Sequence, residues 1–157
     1  MTIEPVIKTR EVPLTIGAAF RLFTERLDTW WPMSTHSIGA SEDNADPVAV
    51  RFEGRVGGRV LEILSDGREY AWAEVIAWNP PERFVLAWHP NIDPTAASIL
   101  EVRFTPHGDD ATTLYLEHRG WEEFGERGLD LRGQYEPGWD FVLGGYESAS
   151  AEAASAS

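Results

Sequence analysis

The sequence predicts an α+β domain in which a curved antiparallel sheet of about seven strands wraps around a C-terminal helix. Apolar and polar residues alternate with a period of two in one segment near the N-terminus and in six consecutive segments after residue 48. Helical spacing of apolar residues appears once before these six segments and once after them. Because a sheet with one apolar face must be covered, we expect the later helix to pack against it.

Length and composition predict one folded domain followed by a short tail. The 157 residues are 43% hydrophobic and include seven Trp and seven Phe, which is enough apolar surface for a substantial core. No internal repeat and no linker between regions of different composition is present. The predicted domain covers residues 1–147. Residues 148–157 contain only Ser, Ala and one Glu, which predicts a disordered Ser/Ala tail.

The charge balance excludes several classes of partner. The net charge is −13, and a field of this sign opposes binding to nucleic acid and to anionic membrane surfaces. The absence of Cys excludes disulfides and cysteine-ligated zinc. No apolar run approaches the ~20 residues of a membrane helix, and the first ten residues lack the order of a signal peptide. We therefore expect a cytoplasmic protein with no nucleic-acid partner and no membrane insertion.

The N-terminal segments predict a strand, a helix and a loop. Residues 3–12 alternate as in a strand. Behind Thr15, a suitable N-cap, apolar residues recur at i, i+3, i+4 and i+7, which predicts a helix to about Arg26. The stretch 30–47 begins with two tryptophans and a proline and is rich in Ser, Asn, Asp and Pro, which predicts an irregular loop.

The middle of the chain predicts an antiparallel meander. Gly57-Gly58 and Asp66-Gly67 are turn dipeptides between alternating runs. The six predicted strands are Val48–Glu53, Arg59–Leu64, Tyr70–Trp78, Arg83–His89, Ser98–Thr105 and Ala111–Arg119.

A closing helix is predicted behind Pro137, a residue tolerated in a first helical turn. Gly144 and Gly145 inside it cost about 1 kcal/mol each relative to alanine, so packing must offset them. The apolar residues at helical spacing are Trp139, Val142, Leu143 and Tyr146.

The alternation also predicts which strand faces point inward. The outer faces carry polar residues such as Glu101 and Glu117. A strongly bent sheet cannot contact one helix everywhere, so large side chains either fill the gap or line a cavity. The predicted inner-face residues are Phe84, Leu86, Trp88, Leu100, Val102, Phe104, Leu114, Leu116 and His118.

The order of the elements and several short motifs resemble the helix-grip proteins of the START-like (SRPBCC) superfamily. Within it, the chain is similar to homologues of the activator of heat shock protein 90 ATPase over about residues 3–147. The stretches that carry the resemblance are Val12-Pro13 with Ala19-Phe20, Trp30-Trp31-Pro32 with His36-Ser37-Ile38-Gly39, Val56-Gly57-Gly58-Arg59, Asp66-Gly67 through Trp72, Trp78-Asn79-Pro80-Pro81-Glu82-Arg83 through Trp88, His118-Arg119-Gly120-Trp121 and Gly138-Trp139.

The resemblance implies a helix-grip (START-like) fold and, for many relatives, an apolar cavity between the sheet and the closing helix. It implies no common reaction, because members include ligand carriers, cyclases and co-chaperone modules. It also makes a chaperone ATPase a candidate partner. This chain departs from its relatives in a closing helix that contains Gly144-Gly145 and soon passes into Ser and Ala, and a shorter helix leaves the cavity more open.

The predicted faces and the resemblance together give a set of ligand-binding residues. No catalytic residue is assigned, and no metal or cofactor is expected, because nucleotide, zinc-protease and hydrolase motifs are absent from the sequence. The ligand-binding candidates are Trp30, Trp31, His36, Trp88, Phe104, His118, Trp139 and Leu143.

Three polar candidates carry two interpretations each. His118, on the inner face, is either a proton-transfer or ligand-fixing group at the cavity rim or a core-edge histidine bonded to backbone or water. His36 either caps the cavity mouth or orders its loop by bonding Ser34 or Ser37. Glu74 is a general-acid candidate if it faces inward, although exposure to water is the commoner position for a glutamate.

The functional hypothesis is a protein that binds a small, mainly apolar molecule between the sheet and the closing helix. A cyclase- or hydrolase-type enzyme that uses the same cavity is one alternative. A co-chaperone-like interaction module is the other. The sequence identifies neither the ligand nor the oligomeric state.

Overall fold

The computed structural model of the protein describes residues 3–33, 35–37, 47–89 and 97–156. Short 3₁₀ turns at Leu27–Thr29 and Trp121–Arg127 precede the tryptophan pair and the last helix. The regular elements in chain order are β1 (Val6–Val12), α1 (Ile16–Thr24), β2 (Ala49–Phe52), β3 (Arg59–Ile63), β4 (Glu69–Asn79), β5 (Arg83–Trp88), β6 (Ser98–Pro106), β7 (Thr112–Arg119) and α2 (Gly128–Ala156).

The strands form one antiparallel sheet in the order β1-β7-β6-β5-β4-β3-β2 within the described residues. β2 to β7 form the predicted meander, and β1 closes the far edge by pairing with β7, so that Val6 lies opposite His118. α2 lies against the sheet, as the need to cover one apolar face requires. The predicted α+β helix-grip fold is confirmed, and its strand ends lie within three residues of those predicted.

Two of the predicted turns have the backbone geometry that their glycines allow. Gly57 and Gly67 have φ values of 86° and 89°, a region that side-chain-bearing residues rarely adopt. Thr15 caps α1 as predicted, because its hydroxyl accepts a hydrogen bond from the Ala18 backbone N–H. The local signals of the sequence were therefore sufficient to place these elements.

The inner face of the sheet carries the predicted apolar residues and forms one core with both helices. At the end near α1, phenylalanine rings pack edge to face, with Phe20 contacting Phe84 at 6.0 Å and Phe104 at 5.3 Å between ring centres. This phenylalanine group comprises Phe20, Phe23, Phe52, Phe84 and Phe104, with Trp78 beside it.

β4 does not keep the alternation that the sequence predicts. Its register shifts at two points, where Trp72 and Ile76 are extra residues without a direct partner in β3 and β5 respectively. Each bulge changes which side of the sheet the following residues face. Trp72 is therefore buried, whereas Ile76 and Glu74 are exposed, so of the two interpretations of Glu74 the exposed one, the commoner position for a glutamate, is correct.

α2 begins about nine residues before the predicted closing helix and contains Pro137 in its interior. The sequence signal was weak there because Gly133, Pro137 and Gly138 are poor helix formers. The apolar stripe nevertheless continues backwards from Trp139, since Tyr135 and Leu131 precede it at steps of four residues and pack on the core. Tertiary packing, rather than propensity, determines where this helix starts.

The disordered tail predicted for residues 148–157 is wrong over most of its length, because α2 continues to Ala156. Alanine is the best helix former, and extending an existing helix requires no new nucleation. Part of the extension also has tertiary contacts, since Ser150 is fully buried and Ala149 and Ala154 pack on the core.

Charged residues hold α2 against the edge strand β1. Lys8 Nζ contacts Asp140 at 3.0 Å and Glu136 at 3.3 Å, and Arg10 contacts Asp140 at 2.7 Å. Lys8 is largely buried, with its side chain 10% exposed, so this ion pair is screened less by solvent than one at the open surface. Hydrogen bonds from Lys8 and Arg10 lower the pKa of the Asp140 carboxyl. The acidic face of α2 is therefore matched to a basic strand.

Gly145 lets α2 approach the backbone of the tryptophan pair. A Cβ at this position would lie 2.6 Å from the carbonyl oxygen of Trp30, whereas a Cβ on Gly144 would meet nothing within 4 Å. Close packing therefore requires glycine at position 145 despite its low helix propensity. No packing contact requires glycine at position 144.

We expect Gly144→Ala to raise the free energy of unfolding by about 0.5–1 kcal/mol, because alanine is the better helix former and its methyl group meets open space. Gly145→Ala should lower it by about 1 kcal/mol or more, since the methyl group displaces the Trp30 backbone. Urea unfolding of the two variants measures both changes. Equal changes in the two variants would show that helix propensity alone governs this pair.

Candidate ligand-binding site

Four indole rings, from two strands, α2 and a loop, meet between α2 and the sheet. Trp31, from the loop after α1, lies 4.9 Å from Trp72 on β4, 6.0 Å from Trp88 on β5 and 5.8 Å from Trp139 on α2, measured between ring centres. We call these four residues the indole cluster. Trp88 also contacts Trp72 and Trp139 at 6.0 and 5.9 Å. All four are buried, so the cluster forms one aromatic part of the core.

Each indole N–H of the cluster has an acceptor within the protein. Trp72 Nε1 donates to Glu62 Oε1 at 2.5 Å, and Trp88 Nε1 donates to the Tyr135 hydroxyl at 3.0 Å. Trp31 Nε1 donates to the backbone carbonyl of His36 at 2.7 Å. Because a buried N–H without an acceptor is costly, these bonds fix the orientation of the rings.

His118 receives the fourth indole N–H and links α2 to the sheet. Trp139 Nε1 donates to His118 Nδ1 at 3.0 Å, and His118 Nε2 lies 2.7 Å from Ser98 Oγ. An indole N–H can only donate, so Nδ1 must be unprotonated and the proton of the neutral ring is on Nε2. Nε2–H then donates to Ser98 Oγ, whose own hydroxyl donates to the Trp88 carbonyl at 3.3 Å.

This arrangement holds only while His118 is neutral. The side chain is fully buried among aromatic rings, with Trp121 at 4.2 Å and Tyr135 at 4.9 Å between ring centres. Burial lowers the pKa of His118 to about 3. Both ring nitrogens are engaged and no protonated form is available near neutral pH. The surroundings of His118 are therefore those of a core histidine. They do not match those expected of a proton-transfer group at a cavity rim.

Glu62 is the polar residue of this region that the sequence analysis missed. Its side chain is fully buried on β3, beside the indole cluster, and its carboxylate accepts the hydrogen bond from Trp72. Alternation did not identify it, because the run carries apolar residues at both sets of positions, Val60 and Leu64 in one and Leu61 and Ile63 in the other, and Leu61 is buried as well. Parity therefore leaves the face of Glu62 open.

His36 is half-buried at the edge of this region. Its ring stacks on Phe141 of α2 with centres 5.2 Å apart, and its Nδ1 lies 2.7 Å from the hydroxyl of Thr35. Burial lowers the pKa of His36. Of the two predicted partners, Ser37 instead donates to the Met33 carbonyl, and Ser34 lies outside the described residues.

The other predicted site residues do not all join the indole cluster. Phe104 belongs to the phenylalanine group. Trp30 contacts Phe23 at 5.0 Å and Tyr146 at 5.1 Å and touches the cluster only through Trp31. Leu143 is fully buried in the core on α2. The structure thus separates the prediction into a tryptophan-rich end and a phenylalanine-rich end.

An open groove of about 380 Å³ runs along α2, lined in part by Trp30, Pro32, Phe141 and Gly144. Trp72, Trp88 and Trp139 do not line it, so the groove lies outside most of the indole cluster. The internal cavity expected from the sequence stays a prediction. Among residues 3–33, 35–37, 47–89 and 97–156, no cluster of three or more metal-ligating side chains and no helix able to cross a membrane is found.

The fold and the aromatic interior define a START-like protein of the SRPBCC superfamily. The model of the family described as "Activator of Hsp90 ATPase homolog 1-like protein" matches residues 13–144, and the chain belongs to this family. No curated protein matches the chain.

Solved structures with the same fold include proteins of different activity. The anthrahydroquino-γ-pyrone synthase Txn09 is 28% identical, with a TM-score of 0.64, over 94% of this chain and 97% of that chain. The self-sacrificing resistance protein CalC from Micromonospora echinospora is 23% identical, with a TM-score of 0.73, over 95% of each chain. The Aha1 dimer protein from Colwellia psychrerythraea is 12% identical, with a TM-score of 0.66, over 94% of this chain and 96% of that chain.

The neutral state of His118 predicts acid sensitivity. Burial lowers the pKa of His118 from the ordinary 6.5 to about 3. Between these two pH values the histidine is protonated in the unfolded chain and neutral in the folded protein, so the unfolded chain binds one more proton. This contribution to stability is complete above about pH 6.5 and is lost as the pH falls. We expect a loss of about 2–3 kcal/mol between pH 6.5 and 4.5 from this group alone.

Urea unfolding at a series of pH values tests this dependence. In His118→Asn, whose amide oxygen can accept the Trp139 N–H, the pH dependence should be weaker than in the wild type by about that amount. His107→Asn is the matched control, because His107 has a 71% exposed side chain at a strand end. An unchanged pH slope in His118→Asn would show that His118 is already charged in the folded protein.

Proposed function

We propose that the protein binds a small, mainly apolar aromatic molecule between the inner face of the sheet and α2. The observation that carries the proposal is the convergence of four buried indole rings with few polar groups among them. Ligand sites are usually apolar and aromatic spaces with a small number of placed polar groups. Here those groups are the Glu62 carboxylate and the Tyr135 hydroxyl.

The indole rings favour a flat ligand. Aromatic pairs prefer offset or edge-to-face contacts with centres 4.5–7 Å apart, and the rings of the cluster already contact one another within this range. A planar aromatic ligand can use the same contacts, whereas a flexible chain would lose more conformational entropy on binding. One similar protein supports the same class, since Txn09 is described as an anthrahydroquino-γ-pyrone synthase.

The electrostatic setting favours a neutral or cationic ligand. The chain carries a net charge of −13, and Glu62 places a carboxylate beside the cluster. An anionic ligand would have to overcome both fields. We therefore select neutral, hydroxylated planar probes for the test.

The test is isothermal titration with 2-naphthol and 1,4-dihydroxyanthraquinone. We expect saturable binding to the wild-type protein and a loss of at least about tenfold in affinity in Trp72→Leu, because a stacking wall is removed. Trp78→Leu is the matched control: Trp78 lies on the same strand but contacts the phenylalanine group, so affinity should hold. Urea unfolding of both variants verifies that they are folded.

Two results would count against binding in this region. One is the absence of saturable heat with every planar probe. The other is an equal loss of affinity in the Trp72 and Trp78 variants, which would indicate a general effect of stability rather than a wall of the site.

An enzyme of the cyclase or hydrolase type that uses the same space is the second candidate, and the likeness to a synthase favours it. His118 does not support it, because both ring nitrogens are engaged and its pKa is about 3. Glu62 is the buried group that could accept a proton from a ligand. Native mass spectrometry of the purified protein, followed by incubation of any extracted molecule with fresh protein, distinguishes the two. A molecule that is unchanged in both mass and chromatographic retention favours a carrier, and a change in either favours an enzyme, because a cyclisation can conserve mass.

A further inference from the structure

We propose that the Trp31 side chain occupies the slot in which the ligand binds, and that the ligand is a planar fused-ring molecule with a hydroxyl or amine donor. This inference rests on the proposed function. It assigns Trp31 a different role from Trp72, Trp88 and Trp139, which form the walls. Binding then requires the indole of Trp31 to leave its slot.

The ring of Trp31 lies between the sheet and α2. It contacts all three other members of the indole cluster, as the ring of Trp88 also does, so the way the rings are anchored distinguishes Trp31 and these contacts alone do not. It lies at 41° and 46° to the rings of Trp72 and Trp88, and at 83° to Trp139. A bicyclic plane is thus held from the sheet side and from the helix side together.

The hydrogen bonds of the four indoles also distinguish Trp31 from the other three. Trp72, Trp88 and Trp139 lie on regular elements, and their N–H groups donate to side chains on β3, α2 and β7. Trp31 lies outside any helix or strand, and its N–H donates to the backbone of His36, five residues along the same loop. The walls are therefore held by the folded scaffold, whereas Trp31 is held by its own loop.

The backbone beside Trp31 is fixed independently of its ring. Trp30 Nε1 donates to the Leu22 carbonyl at 2.9 Å, and the carbonyl of Trp30 packs against Gly145 of α2. The backbone N–H of Trp31 donates to the Leu27 carbonyl at 3.0 Å. The indole can therefore leave by rotation of its side chain while the flanking backbone stays bound to α1 and α2.

The ring space and the His36 carbonyl that the indole of Trp31 vacates determine which ligand fits. Withdrawal of the indole removes a planar bicyclic ring and leaves the His36 carbonyl without the donor that now lies 2.7 Å away. A molecule of the same shape with an N–H or O–H at its edge replaces both the ring contacts and the hydrogen bond. A molecule without a donor leaves this partly buried carbonyl without that hydrogen bond. We therefore expect 2-naphthol to bind more tightly than 2-methoxynaphthalene.

The experiment compares affinities for 2-naphthol by isothermal titration. A protein whose competent state is a minor population binds with an affinity reduced by that fraction. If Trp31 leaves the slot in about 1–10% of molecules, Trp31→Ala should bind about 10- to 100-fold more tightly than the wild type. A wall residue would give the opposite sign, as predicted for Trp72→Leu.

Phe84→Ala is the control for a void made by truncation. Phe84 is fully buried in the phenylalanine group, so its removal opens apolar space without freeing the slot. An equal gain of affinity in Phe84→Ala and Trp31→Ala would overturn the proposal, because any new void would then suffice.

A measurement on the wild-type protein does not depend on these variants folding. The Nε1–H resonance of Trp31, assigned by its loss in Trp31→Phe, should shift on saturation with 2-naphthol and exchange faster with solvent as its bond to His36 breaks. The Trp139 resonance, held by His118, should stay protected from exchange.

The outcomes separate this inference from the proposed function. If no planar probe binds either the wild type or Trp31→Ala, the proposed function fails. If the wild type binds 2-naphthol while Trp31→Ala binds equally or more weakly and the Trp31 N–H stays protected, Trp31 is a wall and only this inference fails. Tighter binding in Trp31→Ala alone, together with exchange of the Trp31 N–H and a preference for 2-naphthol over its methyl ether, supports it.

Discussion

The position of α2 on the sheet depends on the hydrogen bonds of one neutral histidine. Trp139 on α2 donates to His118 on β7, His118 donates to Ser98 on β6, and Ser98 donates to the Trp88 carbonyl on β5. Every donor in this series has one acceptor, and the direction is set by the indole, which cannot accept. A protonated ring would place a second donor against Trp139. Burial keeps the ring neutral, and the helix is held at a fixed distance from three strands.

The tryptophans of the interior combine apolar bulk with a polar edge. A phenylalanine interior needs no hydrogen-bond partners, and the end of the core near α1 is built in that way. The indole end requires an acceptor for each N–H, and the chain supplies Glu62, Tyr135 and His118. The indole end of the core is therefore stabilised by hydrogen bonds as well as by ring contacts.

Local pattern accounts for most of what could be predicted, and its failures have physical causes. Six strands followed from alternation because an antiparallel sheet with one buried face enforces a period of two. The opposite burial of Trp72 and Ile76 did not follow, because bulges at these two residues change the period within β4. The start of α2 did not follow either, since its first turns contain glycines and a proline and are helical through packing.

The sequence by itself determined the element order, the sheet with its closing helix, and the inner-face residues Trp88 and His118, because these depend on short-range spacing. Only the tertiary structure decided which aromatic residues meet, since Phe104 and Trp88 have equal apolar character but lie at opposite ends of the core. It also decided that His118 is enclosed and neutral. Enclosure depends on residues from α2 and three strands, distant in sequence, and no local spacing contains that information.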